Sequence, residues 1–283
     1  MHFFRLPSPG KKLNNLQELS VGDYEKEGST GMRCFYREKK YYSGNYLEVD
    51  IYPVFGRAGQ RRRRYKETSE CQKRLNRKKS EMKLTRLLNT NFTEDDLRFD
   101  LTYAPEHLPE SDDEAIKQMK NFLRRLKRYR KKNGLSPLKY IAVTEKSKKG
   151  RYHHHLVISG GVSIRMLAEL WGRGYTSAKP LQFNEYGIEG LARYLVKEPI
   201  GSKFYQASRN LTQPEEETVD ARLSQRAVNE LAKQSYSAEI FERLYEGYTF
   251  VEAQPFWNDY NRHQYITVKM YIPPKKKRIK LVQ

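Results

Sequence analysis

The sequence predicts an α+β protein. Helices pack on an antiparallel sheet of ferredoxin-like or RNA-recognition-like strand order, and an N-terminal β-hairpin and a basic helix precede that sheet. From residue 97 onward, short extended runs and amphipathic helices follow one another in the order β-α-β-β-α-β, which is typical of such sheets. Aromatic residues make up 12% of the 283 positions, so the chain can bury a core although 31% of it is charged.

The N-terminal region, residues 1–92, is predicted to be a basic accessory region. It opens with an aperiodic arm over residues 1–31. Two extended runs, 32–42 and 46–53, then flank Ser43-Gly44-Asn45, a turn sequence typical of a β-hairpin. A basic loop with Arg61, Arg62, Arg63 and Arg64 follows. Thr68 can cap a helix that runs to about residue 89 and carries a mostly cationic surface.

Residues 93–283 are predicted to form the second domain. Its elements are expected to be strand 97–103, helix 111–132 (capped by Ser111 and ended by Asn133-Gly134), strands 138–145 and 152–159, helix 163–171, extended run 175–183 and helix 186–197. A polar helical segment near 201–255 follows, with helices near 220–233 and 238–245 and then a strand at 264–271. A basic tail, 275–283, ends the chain.

The charge of the chain indicates its class of partner. Lys and Arg exceed Asp and Glu by 20, which points first to nucleic acid and then to an anionic membrane surface. No apolar stretch of about 18 residues is present, so we expect no membrane span. The two cysteines form no CxxC motif and the N-terminus does not resemble a signal peptide, so a reducing interior is the default expectation.

Three consecutive histidines, His153, His154 and His155, lie in the strand predicted over 152–159. Because strand side chains alternate, His153 and His155 share one face and His154 takes the other. Two imidazoles at this spacing can bind one metal ion, and a cluster of surface histidines is the alternative.

Glu145 is the candidate third ligand. If residues 147–151 form the loop between the strands, Lys146 pairs with Tyr152 and Glu145 with His153, on the face of His153 and His155. Two histidines and one carboxylate leave open coordination positions, and Mn²⁺ or Mg²⁺ is expected if water and phosphate oxygens fill them. Glu198 competes for this role, because it lies one turn after Tyr194 along the same helix face.

The helix predicted over 186–197 carries a candidate nucleophile. Its apolar stripe is Ile188, Leu191, Ala192 and Leu195, and Tyr194 lies off that stripe, three residues before Lys197. The phenol needs nearby positive charge to attack well, and Lys197 can supply it. A half-exposed tyrosine that makes only a cation–π contact is the alternative interpretation.

Three blocks now stand in order along the chain: Phe99-Asp100-Leu101-Thr102-Tyr103, His153-His154-His155 and Tyr194-Leu195-Val196-Lys197. Over about residues 93–200 they resemble the HUH endonuclease superfamily, specifically its single-tyrosine rolling-circle replication initiators of plasmids and phages. His154 stands where those proteins usually have an apolar residue. The paired-tyrosine spacing of two-tyrosine members is missing, since Tyr186 lies eight residues before Tyr194.

The resemblance implies a metal-dependent endonuclease and strand transferase that acts on single-stranded DNA and origin DNA. Tyr194 would attack the scissile phosphate to give a 5′-phosphotyrosine and a free 3′-OH, and Lys197 would stabilise charge or position the phosphate. The 3′-OH would prime the host polymerase in the bacterial cytoplasm. Because the sequence has no P-loop motif, a host helicase is the implied partner.

The basic segments then become candidate DNA contacts. We predict phosphate contacts from the loop at Arg61–Arg64 and from the helix that carries Arg124 and Arg128, while the tail is equally well explained as solvated. A relaxase or transposase of the same superfamily is the first alternative function. A non-catalytic nucleic-acid-binding module is the second, although residues 152–159 lack the aromatic pair that RNA-recognition sheets use for stacking. The sequence predicts no oligomeric state.

Overall fold

A computed structural model describes residues 34–56, 70–197, 199–200 and 204–274. It shows the predicted α+β architecture, with two antiparallel sheets of five strands each. The chain divides into two compact units, one within residues 66–214 and the other within residues 1–65 and 215–283. None of the described helices is long and apolar enough to cross a membrane.

The unit within residues 66–214 contains the sheet with strand order β6-β3-β5-β4-β7. Its strands are β3 (Leu97–Leu101), β4 (Tyr140–Lys146), β5 (Tyr152–Ile158), β6 (Thr176–Pro180) and β7 (Gln206–Ala207). Its helices are α1 (Glu70–Asn91), α2 (Asp112–Lys132), α3 (Ile164–Trp171) and α4 (Glu189–Leu195). The elements predicted between residues 97 and 197 are therefore present, with shifted ends.

Helices cover both faces of this sheet. On one face, Phe99 and Leu156 pack with Met119 and Phe122 of α2 and with Trp171 of α3. On the other face, Ile141, Val143 and Val157 pack with the apolar sides of α1 and α4, formed by Leu84, Leu87, Leu88, Ala192 and Leu195. Alternate residues of each strand thus belong to different cores, and α4 is fixed on the face opposite to α2.

Local sequence signals set the ends of α2. The Ser111 hydroxyl accepts a hydrogen bond from the Glu114 backbone N–H at 3.2 Å, and Ser111 is the N-cap. Asn133 is the C-cap and Gly134 follows with a φ of +66°, a conformation that glycine adopts without strain. The predicted helix 111–132 therefore has the correct ends.

The other unit contains the sheet with strand order β8-β1-β2-β10-β9. Its strands are β1 (Cys34–Ser43), β2 (Tyr46–Phe55), β8 (Glu215–Asp220), β9 (Thr249–Asn258) and β10 (His263–Tyr271), and its helices are α5 (Gln225–Lys233) and α6 (Ala238–Leu244). Both helices contribute to one core with the sheet: Val228 and Phe241 pack against Val49, Ile51 and Val268. The predicted hairpin is confirmed, with Ser43 paired to Tyr46 across the turn.

The compact units follow a different division from the predicted domains 1–92 and 93–283. Leu84 and Leu88 of α1 are buried in the core of the unit within residues 66–214, so this helix does not group with the hairpin. The predicted helical segment near 201–255 contains α5 and α6, but also β8 and the first part of β9. Strand β8 pairs with β1 because its carboxylates meet cations there: Asp220 with Arg37, Glu216 with Lys39 and Glu217 with Lys40.

Candidate functional site

The hairpin of β4 and β5 has the predicted register, with Glu145 opposite His153 and Lys146 opposite Tyr152. The turn between the strands is closed by a hydrogen bond of 2.8 Å from the Ser147 N–H to the Arg151 carbonyl. Glu145 therefore lies on the same face as the two outer histidines, as we inferred from the parity of the pairing.

His155 lies at the centre of the site. Its Nδ1 is 2.7 Å from an Asp100 carboxylate oxygen, and its Nε2 is 3.4 Å from a Glu145 carboxylate oxygen. Burial alone lowers the pKa of His155, but the hydrogen bonds and charges of Asp100 and Glu145 outweigh it and raise that pKa to about 9. The imidazole is thus protonated at neutral pH in the absence of a metal ion.

Tyr194 approaches this centre from the last turn of α4. Its hydroxyl oxygen is 3.2 Å from Nε2 of His155, and its side chain remains partly exposed. The guanidinium carbon of Arg98 lies 4.7 Å from the centre of the Tyr194 ring. Burial and the Glu145 carboxylate raise the pKa of the phenol, whereas the positive charge of Arg98 lowers it.

Arg98 and Asp100 are linked to each other and occupy alternate positions of β3. The Arg98 Nε donates to both Asp100 carboxylate oxygens, at 3.0 and 3.2 Å. Asp100 pairs directly with His155 across the strands. Burial opposes ionisation of Asp100, but its hydrogen bonds to His155 and Arg98 hold its pKa below the ordinary value.

Sequence reasoning gave no role to Arg98 or Asp100. The signal that could have found them is a cation and a carboxylate at alternate positions of an otherwise apolar strand. Alternation places both on one face, although only the pairing of β3 with β5 shows that this face is that of His155.

Lys197 lies just beyond the end of α4 and is exposed. Its backbone N–H donates to the Tyr194 carbonyl at 3.3 Å, so the two residues are one turn apart as predicted. Glu198, the alternative metal ligand, lies outside the described residues.

His154 faces the other side of β5 and is fully buried. Its Nε2 is 2.6 Å from the Tyr103 hydroxyl and its Nδ1 is 2.9 Å from the Thr144 hydroxyl. Burial, with smaller contributions from His155 and His153, lowers its pKa to about 3, so this imidazole is neutral. A histidine fits this usually apolar position because both of its ring nitrogens find a hydroxyl partner.

The donor set fits a divalent metal ion in part. Asp100 holds Nδ1 of His155, which directs Nε2 of that ring towards Glu145, an arrangement typical of a metal-binding histidine. His153 shares their face and is half-buried, and burial together with the charge of His155 lowers its pKa, which favours the neutral ligand form. Among the described residues, however, no three His, Cys, Asp or Glu side chains converge as a ready metal cluster.

The predicted DNA contacts have different outcomes. Arg61, Arg62, Arg63 and Arg64 lie outside the described residues. Arg124 and Arg128 are exposed on α2, which packs on the sheet face opposite to His155 and Tyr194. Arg130 of the same helix is buried and donates to the backbone carbonyls of Ser136, Ser159 and Gly160, so it has a structural role.

Comparison with known families gives one match. A family model that describes replication-associated proteins of the ORF2 type matches residues 97–199. Curated proteins gave no match, and solved structures gave none. The matched segment begins with β3 and extends past Lys197, so it includes each of the side chains brought together around His155, and its similarity to replication-associated proteins indicates a role in DNA replication.

Proposed function

We propose that the protein is a metal-dependent nicking and joining enzyme for single-stranded DNA that initiates rolling-circle replication. The observation that carries this proposal is the position of the Tyr194 hydroxyl, 3.2 Å from Nε2 of His155. A tyrosine held beside a histidine and a carboxylate, within a segment similar to replication-associated proteins, is suited to attack a phosphodiester.

The proposed reaction is a transesterification. The Tyr194 oxygen bonds to phosphorus, the bond from phosphorus to the 3′ oxygen breaks, and the proton lost by the phenol is balanced by the proton gained at the 3′-OH. A later 3′-OH reverses these steps and rejoins the strand, so no nucleoside triphosphate is consumed. The free 3′-OH primes a host polymerase, with a host helicase opening the duplex.

The side chains divide the remaining work. Mn²⁺ or Mg²⁺ held by His153, His155 and Glu145 would polarise the scissile phosphate. Asp100 accepts a hydrogen bond from Nδ1–H of His155 and so leaves Nε2 as the donor atom. Arg98 places positive charge on the Tyr194 ring. Lys197 supplies a second cation one turn from Tyr194, where it can contact a phosphate oxygen.

The proposal is tested by trapping the covalent adduct. We would incubate the full chain with a random-sequence library of single-stranded oligonucleotides and Mn²⁺, and assay for DNA that stays attached to protein in detergent. The parent and Tyr186→Phe are expected to form the adduct. Tyr194→Phe keeps the ring but lacks the nucleophilic oxygen, so it should form none while its DNA affinity changes by less than about 3-fold.

Two outcomes would contradict the assignment. An adduct in Tyr194→Phe that disappears in Tyr186→Phe or Tyr103→Phe would move the nucleophile elsewhere. A parent protein that binds the library tightly but never forms an adduct would favour a non-catalytic nucleic-acid-binding module. Sequencing the trapped DNA would then separate origin-type sites from the transposon ends or transfer origins expected of a transposase or relaxase.

A further inference from the structure

The turn between β4 and β5 forms a basic groove. Lys148, Lys149 and Arg151 line it together with Ser147 and His153, and its volume is about 620 Å³. The turn has a defined shape, because the Gly150 N–H donates to the Ser147 carbonyl at 2.8 Å and the Arg151 N–H donates to the Ser147 hydroxyl at 3.1 Å. Its three cationic side chains are exposed.

This basic groove adjoins the candidate active site. His153 belongs to both, since it lines the groove and shares a face of β5 with His155. The chain that follows Lys197 also passes close by, because Pro199 forms a bridge with Glu145 and the Ile200 N–H donates to the Thr144 carbonyl at 2.9 Å. A ligand in the groove therefore lies next to the centre at which a phosphate would be cut.

The cations of the groove differ from the other cations around the site. Arg98 is bonded to Asp100, and Arg193 of α4 is paired with Glu81 and Glu189. Within the part of the chain that the structure describes, Lys148, Lys149 and Arg151 have no carboxylate partner. Three unneutralised charges around a concave surface favour an anionic ligand with several phosphates.

We infer that the basic groove is a substrate subsite, which binds the sugar–phosphate backbone of single-stranded DNA flanking the scissile phosphate. The inference rests on the proposed function, because that function places the cut strand at Tyr194. Lysine ammonium groups act as compact point charges and tolerate varied phosphate positions. The groove therefore contributes affinity that is independent of base sequence, whereas recognition of the origin requires other residues.

Binding of a fluorescent 20-nucleotide oligothymidylate tests this subsite. The assay uses the full chain in the Tyr194→Phe background, with EDTA present, over a series of salt concentrations. The triple variant Lys148→Ala, Lys149→Ala, Arg151→Ala should bind at least roughly 10-fold more weakly at low salt. The slope of log K against log salt should become shallower by about 2, because three phosphates each contribute roughly 0.7 on a single strand.

A matched control removes the same charge from the opposite side of the sheet. Lys117→Ala, Lys120→Ala, Arg165→Ala changes three exposed cations of α2 and α3 and should leave the affinity within about 2-fold and the slope nearly unchanged. Lys148→Arg, Lys149→Arg should bind like the parent, since the charge is kept. Equal losses in the groove variant and the control would overturn the inference.

The inference and the proposed function fail in different ways. If the parent forms no covalent adduct but the groove variant loses affinity, the groove binds DNA and the nicking assignment is wrong. If the adduct forms and the groove variant binds, nicks and rejoins like the parent, the nicking assignment stands and the groove is not a subsite.

Discussion

The Tyr194 hydroxyl oxygen and Nε2 of His155 are 3.2 Å apart, although one residue belongs to α4 and the other to β5. Since Nδ1 of His155 is held by Asp100, Nε2 is the ring atom available to the nucleophile or to a metal ion. A metal ion bound at Nε2 would therefore replace the contact with Tyr194 and leave its hydroxyl free to face the substrate. The pairing of one helix with one strand controls both functions.

Arg98 is predicted to be a positioning residue for Tyr194. Removing it takes away the guanidinium that lies over the ring and lowers the pKa of the phenol. Arg98→Ala should slow single-turnover adduct formation by roughly 10- to 100-fold, shift its pH dependence to higher pH, and change DNA affinity little. Arg98→Lys should recover part of the rate. Arg193→Ala, on the same helix as Tyr194 but paired elsewhere, is the control, and an equal loss of rate there would refute the specific role.

Glu145 is predicted to be the third metal ligand. Calorimetric titration with Mn²⁺ should show affinity weakened about 10-fold or more by Glu145→Ala and little changed by Glu198→Ala. The reason is that β4 holds Glu145 rigidly opposite His153. Because His155 must lose a proton to bind metal, the measured enthalpy should depend on the buffer at pH 7. The reverse ranking of the two variants would show that the ligand comes from the segment after α4.

The raised pKa of His155 predicts a pH dependence of stability in metal-free protein. Its folded pKa of about 9 exceeds the ordinary 6.5, so protonated His155 stabilises the fold below about pH 6.5 and this contribution disappears as the pH rises through 9. The contribution amounts to about 3 kcal/mol. Urea unfolding of the parent and of His155→Gln at pH 6, 8 and 10, in EDTA, measures it. A difference in unfolding free energy between the two proteins that is the same at all three pH values would contradict this prediction.

The buried carboxylate of Glu38 predicts a large effect in the other unit. Glu38 is 1% exposed and is held by Arg222 and by the Tyr245 hydroxyl, the latter at 2.7 Å. Arg222→Ala should cost about 3 kcal/mol of unfolding free energy, because it leaves a buried charge without its cation. Glu38→Met combined with Arg222→Ala should recover most of that loss.

The control for this prediction is the ion pair of Arg37 and Asp220. It is more exposed, so Arg37→Ala should cost less than about 1 kcal/mol. Thermal unfolding of the variants compares the two pairs, and equal losses would show that burial of Glu38 does not control the energy.

Local signals explain which parts of the fold were predictable. The short loop between β4 and β5 determines their register, and this alone places Glu145 opposite His153. Ser111 and Asn133 likewise mark the ends of α2. In each case the residues that determine the structure are close together in the sequence.

Long-range pairing explains what was not predictable. Strand β8 consists largely of glutamates, which have low strand propensity, and it forms because β1, far away in the chain, offers Lys39 and Lys40. The roles of Arg98 and Asp100 also depend on tertiary contacts, because β3 reaches His155 only through the assembled sheet.

Strand β8 has a further consequence for the sheet that it borders. The outermost strands of that sheet are β8 and β9, and outermost strands are where copies of a protein can join into aggregates. The exposed glutamates Glu215, Glu216 and Glu217 would bring like charges together if two β8 strands met. Pro255 in β9 lacks a backbone donor. The acidic strand therefore protects a highly charged protein from edge-to-edge self-association.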